Sequence, residues 1–252
     1  MWWIATLLVV AVLLTPLGLV LAAFLPLRRL TKLEEINGMA IVKDGFVCAG
    51  LVPLGNREVA LVDAGNDRRA KALLAELAGR GFGPDDVKAI LLTHGHGDHT
   101  GGVRHFPKAE IMGLEAEAEV VEGRSTGGGP LLRLRSLKPT GIRLTRTLQD
   151  GEVMTLGPFQ VRVFALPGHT PGSAAYAFGP NLFLGDSANQ DKHGRLRPSH
   201  WIFCGNTAEN RKALVELARR LAGDGSIKAL VFSHSAPLER GTAPLEEFAR
   251  RA

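Results

Sequence analysis

Three imidazoles and one carboxylate fall within six residues of this chain, in His94-Gly95-His96-Gly97-Asp98-His99. Four metal-capable groups at that density have no packing rationale, because clustered imidazoles without a partner repel one another on protonation. A divalent metal explains them. The glycines between them let the backbone fold tightly enough for all four side chains to converge. Three more such groups each follow an apolar run: His169 after Leu166-Pro167-Gly168, Asp186 after Leu182-Phe183-Leu184-Gly185, and His234 after Leu230-Val231-Phe232-Ser233. Each therefore reads as a strand-end position. With nitrogen and oxygen donors and no thiolate, zinc suits the set first, and iron or manganese next.

The elements that must position these groups are legible in outline. Between residues 39 and 63, the runs MAIVK, FVCAGLVPL and EVALV are broken by Asp44-Gly45 and Gly55-Asn56, which predicts an opening β-meander. Arg68 to Arg80 has apolar residues at helical spacing and stops at Gly81, so it reads as an amphipathic helix. Val87 to Leu92 is a buried strand running into Thr93-His94. A helix over 114–122 and a Gly-rich loop from Gly123 to Pro130 follow. Strands are expected near 142–146, 152–156, 159–165, 173–178 and 181–185, and then a helix over 207–222, a strand over 227–233 and a short helix from Pro244. Strands outnumber helices, but helices recur between strand groups, which predicts two sheets with helices packed outside.

Composition divides the chain in two. Residues 2–27 contain no Asp, Glu, Lys, Arg or His, so all the formally charged side chains lie in the remainder. That stretch is long enough to cross a hydrocarbon core of about 30 Å as a helix, even with a kink at Pro16. It is expected to be an uncleaved transmembrane anchor, with a cleaved export signal as the alternative reading because Leu21-Ala22-Ala23 resembles a cleavage site. Trp2 and Trp3 suit one membrane interface, and Arg28, Arg29 and Lys32 flank the other end, which places the following domain in the cytoplasm by the positive-inside rule. The expected organisation is an anchor over 2–27, a juxtamembrane linker over 28–35 and a catalytic domain over 36–252. Two cysteines, Cys48 and Cys204, are too few for a disulfide framework and read as buried thiols. The net charge of +5 includes a basic stretch from Arg124 to Arg146, but no basic run is interleaved with aromatics, which argues against a nucleic-acid partner.

The ordered set resembles the metallo-β-lactamase superfamily over about residues 36–240, through its His-x-His-x-Asp-His motif followed by a histidine, an aspartate and a histidine. The resemblance implies a four-layer αββα sandwich, here preceded by the transmembrane helix. It also implies that His94, His96 and His169 bind one metal, that Asp98, His99 and His234 bind a second, and that Asp186 bridges the two. Asp63, in Leu61-Val62-Asp63-Ala64-Gly65, matches the family's early aspartate, which orients ligands without being one. His105 is read as structural, and His193 and His200 as parts of a surface loop, with the alternative that the segment after Asp186 faces the pocket and supplies a proton to a leaving group.

Within the superfamily, an acidic residue at position 186 is similar to the pattern of members that hydrolyse thioesters, lactones or phosphodiesters, and sets the chain apart from true β-lactamases. The sequences Gly168-His169-Thr170-Pro171-Gly172-Ser173 and Gly185-Asp186 resemble the glyoxalase II-like branch, but only 18 residues follow His234 where that branch usually adds a helical domain gripping glutathione. The expected protein is thus a dinuclear hydrolase with two zinc ions per chain, acting on a small ester, thioester, lactone or phosphodiester through a metal-bridging hydroxide, with Asp98 and Asp186 as catalytic residues of the site. The alternatives are a mononuclear-iron oxidoreductase like the persulfide dioxygenases, a β-lactamase, or a nuclease similar to RNase Z.

Overall fold

A strand turns successive side chains to opposite faces, so a sheet covered on both sides must be apolar on both. That pattern sets the layers of this molecule. The computed structural model describes residue 15, residues 17–30 and residues 33–252. Its first sheet runs in the order β1 (Glu34–Ile36), β2 (Met39–Asp44), β3 (Val47–Gly55), β4 (Glu58–Val62), β5 (Val87–Leu91), β6 (Glu110–Leu114) and β7 (Arg146–Leu148). The first four strands pair antiparallel, and β4 to β7 pair parallel. Downstream follow β8 (Val153–Leu156), β9 (Phe159–Ala165), β10 (Ala174–Phe178), β11 (Asn181–Phe183), a hairpin of β12 (Ala188–Gln190) with β13 (Leu196–Pro198), and β14 (Ala229–Val231). The second sheet has the order β14-β11-β10-β9-β8.

Helices flank and connect the strands. They are α1 (17–24), α2 (Lys71–Gly79), α3 (Gly97–Thr100), α4 (Ala118–Val121), α5 (Pro130–Arg133), α6 (Thr207–Arg220) and α7 (Ala243–Ala249). Ile41, Val52 and Val62 face inward and share a core with Val163, Tyr176 and Phe178 of the second sheet. Their neighbours along the strands, Val42, Leu51 and Leu61, face outward and pack with Leu73 and Leu77 of α2. On the far side, Phe164, Ala175 and Leu182 pack with Leu214 and Leu217 of α6 and with Phe248 of α7. Helix, sheet, sheet and helix therefore stack as the expected αββα sandwich.

Several boundaries differ from the sequence reading for local reasons. The helix expected from Arg68 starts at Lys71, because the Asp67 carboxylate accepts from the Arg69 N–H at 2.9 Å and Ala70 adopts a left-handed φ of 49°. The expected helix over 114–122 is a 3₁₀ turn at Glu115–Glu117 running into α4, and the preceding β6 is a strand the sequence reading lacked. The strand expected near 142–146 lies at Arg146–Leu148, paired with β6. Both cysteines are buried free thiols, and burial pushes the Cys48 thiol up to about 12.

The expectation for the N-terminal segment is corrected. Residues 1–14 and Pro16, with Trp2 and Trp3, lie outside the described residues, as does Lys32. Among the described residues no helix is long and apolar enough to cross a membrane, which overturns the single-pass placement and the orientation built on it. The described part of the segment packs on the domain instead. Leu27 bridges to Asp191, the Lys192 N–H donates to the Pro26 carbonyl at 2.9 Å, and the Arg28 N–H donates to the Gln190 carbonyl at 3.0 Å. Leu30, within the expected linker, is buried in the core between the sheets.

A test of a domain boundary at residue 36 follows directly. Burying a leucine side chain stabilises by about 1.5–3 kcal/mol, so deleting the segment with Leu27 and Leu30 removes about 4 kcal/mol. At about 2–4 °C per kcal/mol for a domain of this size, a chain starting at residue 36 is expected to melt about 10 °C below the full chain by calorimetry. An unchanged Tm would show that the domain folds without the segment.

Candidate metal centre

Strand ends deliver the candidate residues to one place. His94 follows β5 through Leu92-Thr93, Asp186 follows β11, and His234 follows β14. His99 sits on the short helix α3, and His169 on the turn between β9 and β10. The loop carrying His94 and His96 can lie flat only because residue 95 is glycine, since a Cβ there would stand 2.5 Å from the Val121 nitrogen. The structure brings all seven side chains into one cluster containing three groups that could hold a metal ion: His94, His96 and His169; His94, His99 and Asp186; and Asp98, His99 and His234. Within each group the donor atoms lie within 4.8 Å of one another.

The outer ring nitrogens fix which atoms point inward. His96 Nε2–H donates to the Thr126 carbonyl at 2.9 Å, and His234 Nδ1–H donates to the Phe46 carbonyl at 2.9 Å. His99 Nδ1–H donates to Asp63 Oδ2 at 2.8 Å, and His169 Nδ1 has Ser199 Oγ at 2.8 Å. The Thr93 hydroxyl donates to Asp63 and is left to accept from His94 Nδ1 at 3.2 Å. A ring nitrogen engaged outside leaves the other with its lone pair facing the centre, which is the arrangement a ligating histidine requires. Those inward nitrogens crowd together: His169 Nε2 is 3.2 Å from His94 Nε2 and 3.1 Å from His96 Nδ1.

Asp186 lies among them. Its Oδ2 is 3.0 Å from His234 Nε2 and 3.6 Å from His169 Nε2, and its Oδ1 is 3.3 Å from His99 Nε2. Asp98 Oδ2 is 3.5 Å from His234 Nε2 and 3.8 Å from His99 Nε2. His99 Nε2 and Asp186 Oδ1 are buried without a hydrogen-bond partner, and an unsatisfied buried polar atom costs about 1–3 kcal/mol unless something binds it. Converging lone pairs, orphaned polar atoms and an all-nitrogen-and-oxygen set fit a bound metal.

Electrostatics divide the imidazoles. Burial favours the neutral form in His94, His96 and His169. In His99 and His234 it is outweighed by the carboxylates of Asp63, Asp186 and Asp98, which hold His99 well above and His234 above the ordinary imidazole pKa. Burial, followed by the neighbouring histidines, holds His94 well below its ordinary pKa, and burial takes His169 down to about 3. Both are neutral at physiological pH, as coordination demands. Burial opposes charge on Asp186 too, but His234 and His99 hold its carboxyl well below the usual range.

Asp63 sits at a left-handed φ of 62° and is almost wholly buried. Besides His99 and the Thr93 hydroxyl, it accepts from the Thr93 N–H at 2.8 Å, so one carboxylate ties β4 to the two histidines beside it. His105 Nε2 contacts the Arg68 carbonyl at 2.9 Å, away from the cluster, and His193 is exposed. His200, expected on a surface loop, instead lines the cavity over the centre.

Sequence reasoning missed Glu117. Its carboxylate is 1% exposed and accepts from the Gly95 N–H at 2.8 Å through Oε1, and from the Gly172 N–H and the Thr170 hydroxyl, both at 2.8 Å, through Oε2. It joins the loop of His94 and His96 to the loop of His169. Nothing in the run Leu114-Glu115-Ala116-Glu117-Ala118-Glu119 separates Glu117 in type from the solvent-facing Glu115 and Glu119.

A four-layer αββα sandwich with a buried histidine and aspartate centre at its strand ends defines a class of metal-binding proteins. A family profile described as metallo-beta-lactamase superfamily matches residues 43–234, and the chain belongs to that family. It is 37% identical over 175 residues to a hydroxyacylglutathione hydrolase of Cupriavidus taiwanensis, covering 66% of this chain and 55% of that one. A hydroxyacylglutathione hydrolase of Edwardsiella ictaluri is 38% identical over 109 residues, 43% of this chain and 36% of that one. The chain thus spans about half the length of the curated relatives it matches. Among solved structures, a metallo-beta-lactamase family protein from Thermus thermophilus aligns with a TM-score of 0.59 and 26% identity, covering 88% of this chain and 79% of that one. A subclass B3 metallo-beta-lactamase of Bradyrhizobium japonicum aligns with a TM-score of 0.64, covering 90% and 92%, and at 19% identity that likeness speaks for the fold.

Proposed function

We propose that this protein is a dinuclear zinc-dependent hydrolase of small acyl thioesters or esters. The observation that carries the reading is the buried, unpartnered pair His99 Nε2 and Asp186 Oδ1 at the junction of two histidine sets. His94, His96 and His169 would hold one ion, Asp98, His99 and His234 the other, and Asp186 would stand between them. When bound, the zinc pair supplies Lewis acidity toward the acyl oxygen and acidifies a water for attack.

The chain's own residues do the rest. Asp63, Ser199 and the Thr126 and Phe46 carbonyls orient the imidazoles, and Glu117 sets the spacing of the two loops. Arg68 and Arg135 line the same cavity and form no ion pair among the described residues, so an anionic leaving group is drawn to the centre. The thioester preference draws on the relatives named hydroxyacylglutathione hydrolase.

Chelation tests this reading. The purified full chain is expected to carry two zinc per molecule by elemental analysis, to lose thioester hydrolysis at least a hundredfold on treatment with a chelator, and to regain it with zinc. A panel of thioesters, lactones, phosphodiesters and a cephalosporin ranks the substrates. One iron per chain together with oxygen uptake would overturn the proposal in favour of the oxidoreductase alternative.

A further inference from the structure

The apolar residues of α1 and the turn after it are not spread around the helix where they meet the domain. Val20, Ala23, Phe24 and Leu27 stand at i, i+3, i+4 and i+7, one helical face, and all four line the cavity over the metal centre. The Phe24 ring lies 5.8 Å from that of Phe203 and meets His234 edge-on at 5.3 Å. Leu131 and Leu132 of α5 add to the same lining. The cavity holds about 580 Å³, within the range of small-molecule sites, and His96, Asp98, His169, Asp186 and His234 open onto it. An apolar helix face that lines an active-site cavity, without filling it, selects what enters.

We infer that α1 forms the wall of an acyl trough, and that the preferred substrates are thioesters or esters of medium-chain linear aliphatic acids over those of short-chain ones. The inference rests on the hydrolase reading for its chemistry, and on the cavity alone for its chain specificity. With the carbonyl carbon at the metal centre, an aliphatic chain laid along Phe24 and Val20 has apolar side chains to pack against. Hydrolysis breaks the bond between the carbonyl carbon and the sulfur or oxygen and adds water's oxygen to that carbon; one of water's protons leaves on the thiol or alcohol and the other passes to solvent as the acid ionises to a carboxylate. No oxidant or reductant is required. By sequence alone, residues 2–27 belong in a lipid bilayer. In the described part of that stretch, Val20, Ala23, Phe24 and Leu27 serve as the lining of a substrate site.

The test compares butyrate with decanoate, the products of short and medium acyl substrates, by calorimetry on the full chain, both metal-free and zinc-loaded. The two acids share one carboxylate, so their affinity ratio isolates the chain. Each methylene fully removed from water strengthens binding about fourfold, and six methylenes half covered give a ratio of about sixtyfold. Val20→Glu, at a half-buried position, and Phe24→Ala are each expected to cut that ratio below about tenfold, with circular dichroism confirming the fold. The kcat/KM ratio of decanoyl to butyryl thioesters is expected to follow the binding ratio. Equal affinity of the wild type for both acids overturns the trough, as does a ratio unmoved by both variants. A chain-length ratio in binding with no hydrolysis of either thioester supports the trough and sinks the hydrolase reading instead.

Discussion

Asp186→Ala is expected to lower kcat for thioester hydrolysis by about a thousandfold and to reduce bound zinc from two per chain to one or fewer. Among the described residues, Asp186 is the only carboxylate whose oxygens lie within 4.0 Å of inward nitrogens from both histidine sets, with His169 and His94 on one side and His99 and His234 on the other. Removing it leaves four buried imidazoles around a neutral gap, and two divalent cations placed there would repel each other without a shared anion. The loss of several kcal/mol of charge stabilisation corresponds to the expected rate effect. Asp186→Asn separates charge from shape, because the amide fills the same space and supplies no negative charge. It is expected to resemble alanine in zinc content. Full rate in either variant would falsify the placement of Asp186 between two metals.

The position of Asp186 also shows why this centre could be approached from sequence. Each of the seven clustered residues follows an apolar run or lies in one short histidine-rich loop, and a buried strand that ends in a polar side chain must satisfy it at the sheet edge. The strands place those ends side by side, so their side chains converge without any long-range signal. Asp63 was legible for the same reason, at the end of β4. Glu117 and Ser199 were not, because they act through backbone N–H groups or a single ring nitrogen brought near by the tertiary fold. Residues 17–27 were misassigned because apolar composition is the same whether it faces lipid or a protein cavity. Only contacts such as Phe24 on His234 and Leu27 with Asp191 distinguish the two. His200 was read within a surface loop because it matches no ligand position, and the turn after β13 places it on the cavity lining.

Glu117→Ala is expected to lower the melting temperature of the metal-free chain by about 10–15 °C and to weaken zinc binding by about 10–100-fold. The substitution leaves the Gly95 and Gly172 N–H groups and the Thr170 hydroxyl buried with one acceptor fewer each, at about 1–3 kcal/mol for a donor left wholly unpaired. Thr170 keeps Ser173 Oγ at 2.7 Å as a partner, so the two glycine amides carry most of the cost, about 4 kcal/mol in all. At about 2–4 °C per kcal/mol this gives the expected shift. The effect on zinc has a separate origin. Gly95 lies between His94 and His96, and Gly172 lies three residues after His169, so the carboxylate spans the two loops of one histidine set, and losing such an outer partner typically costs that much in metal affinity. Glu117→Gln keeps the size and one acceptor oxygen but turns an N–H₂ toward a donor, so it is expected to fall between the wild type and alanine in both measurements. Thermal melts of the metal-free variants and competition titrations with a zinc indicator read the two effects independently. A stability loss with unchanged zinc affinity would confine Glu117 to the fold, whereas loss of both, graded from glutamine to alanine, identifies it as the residue that holds the two loops in ligand register.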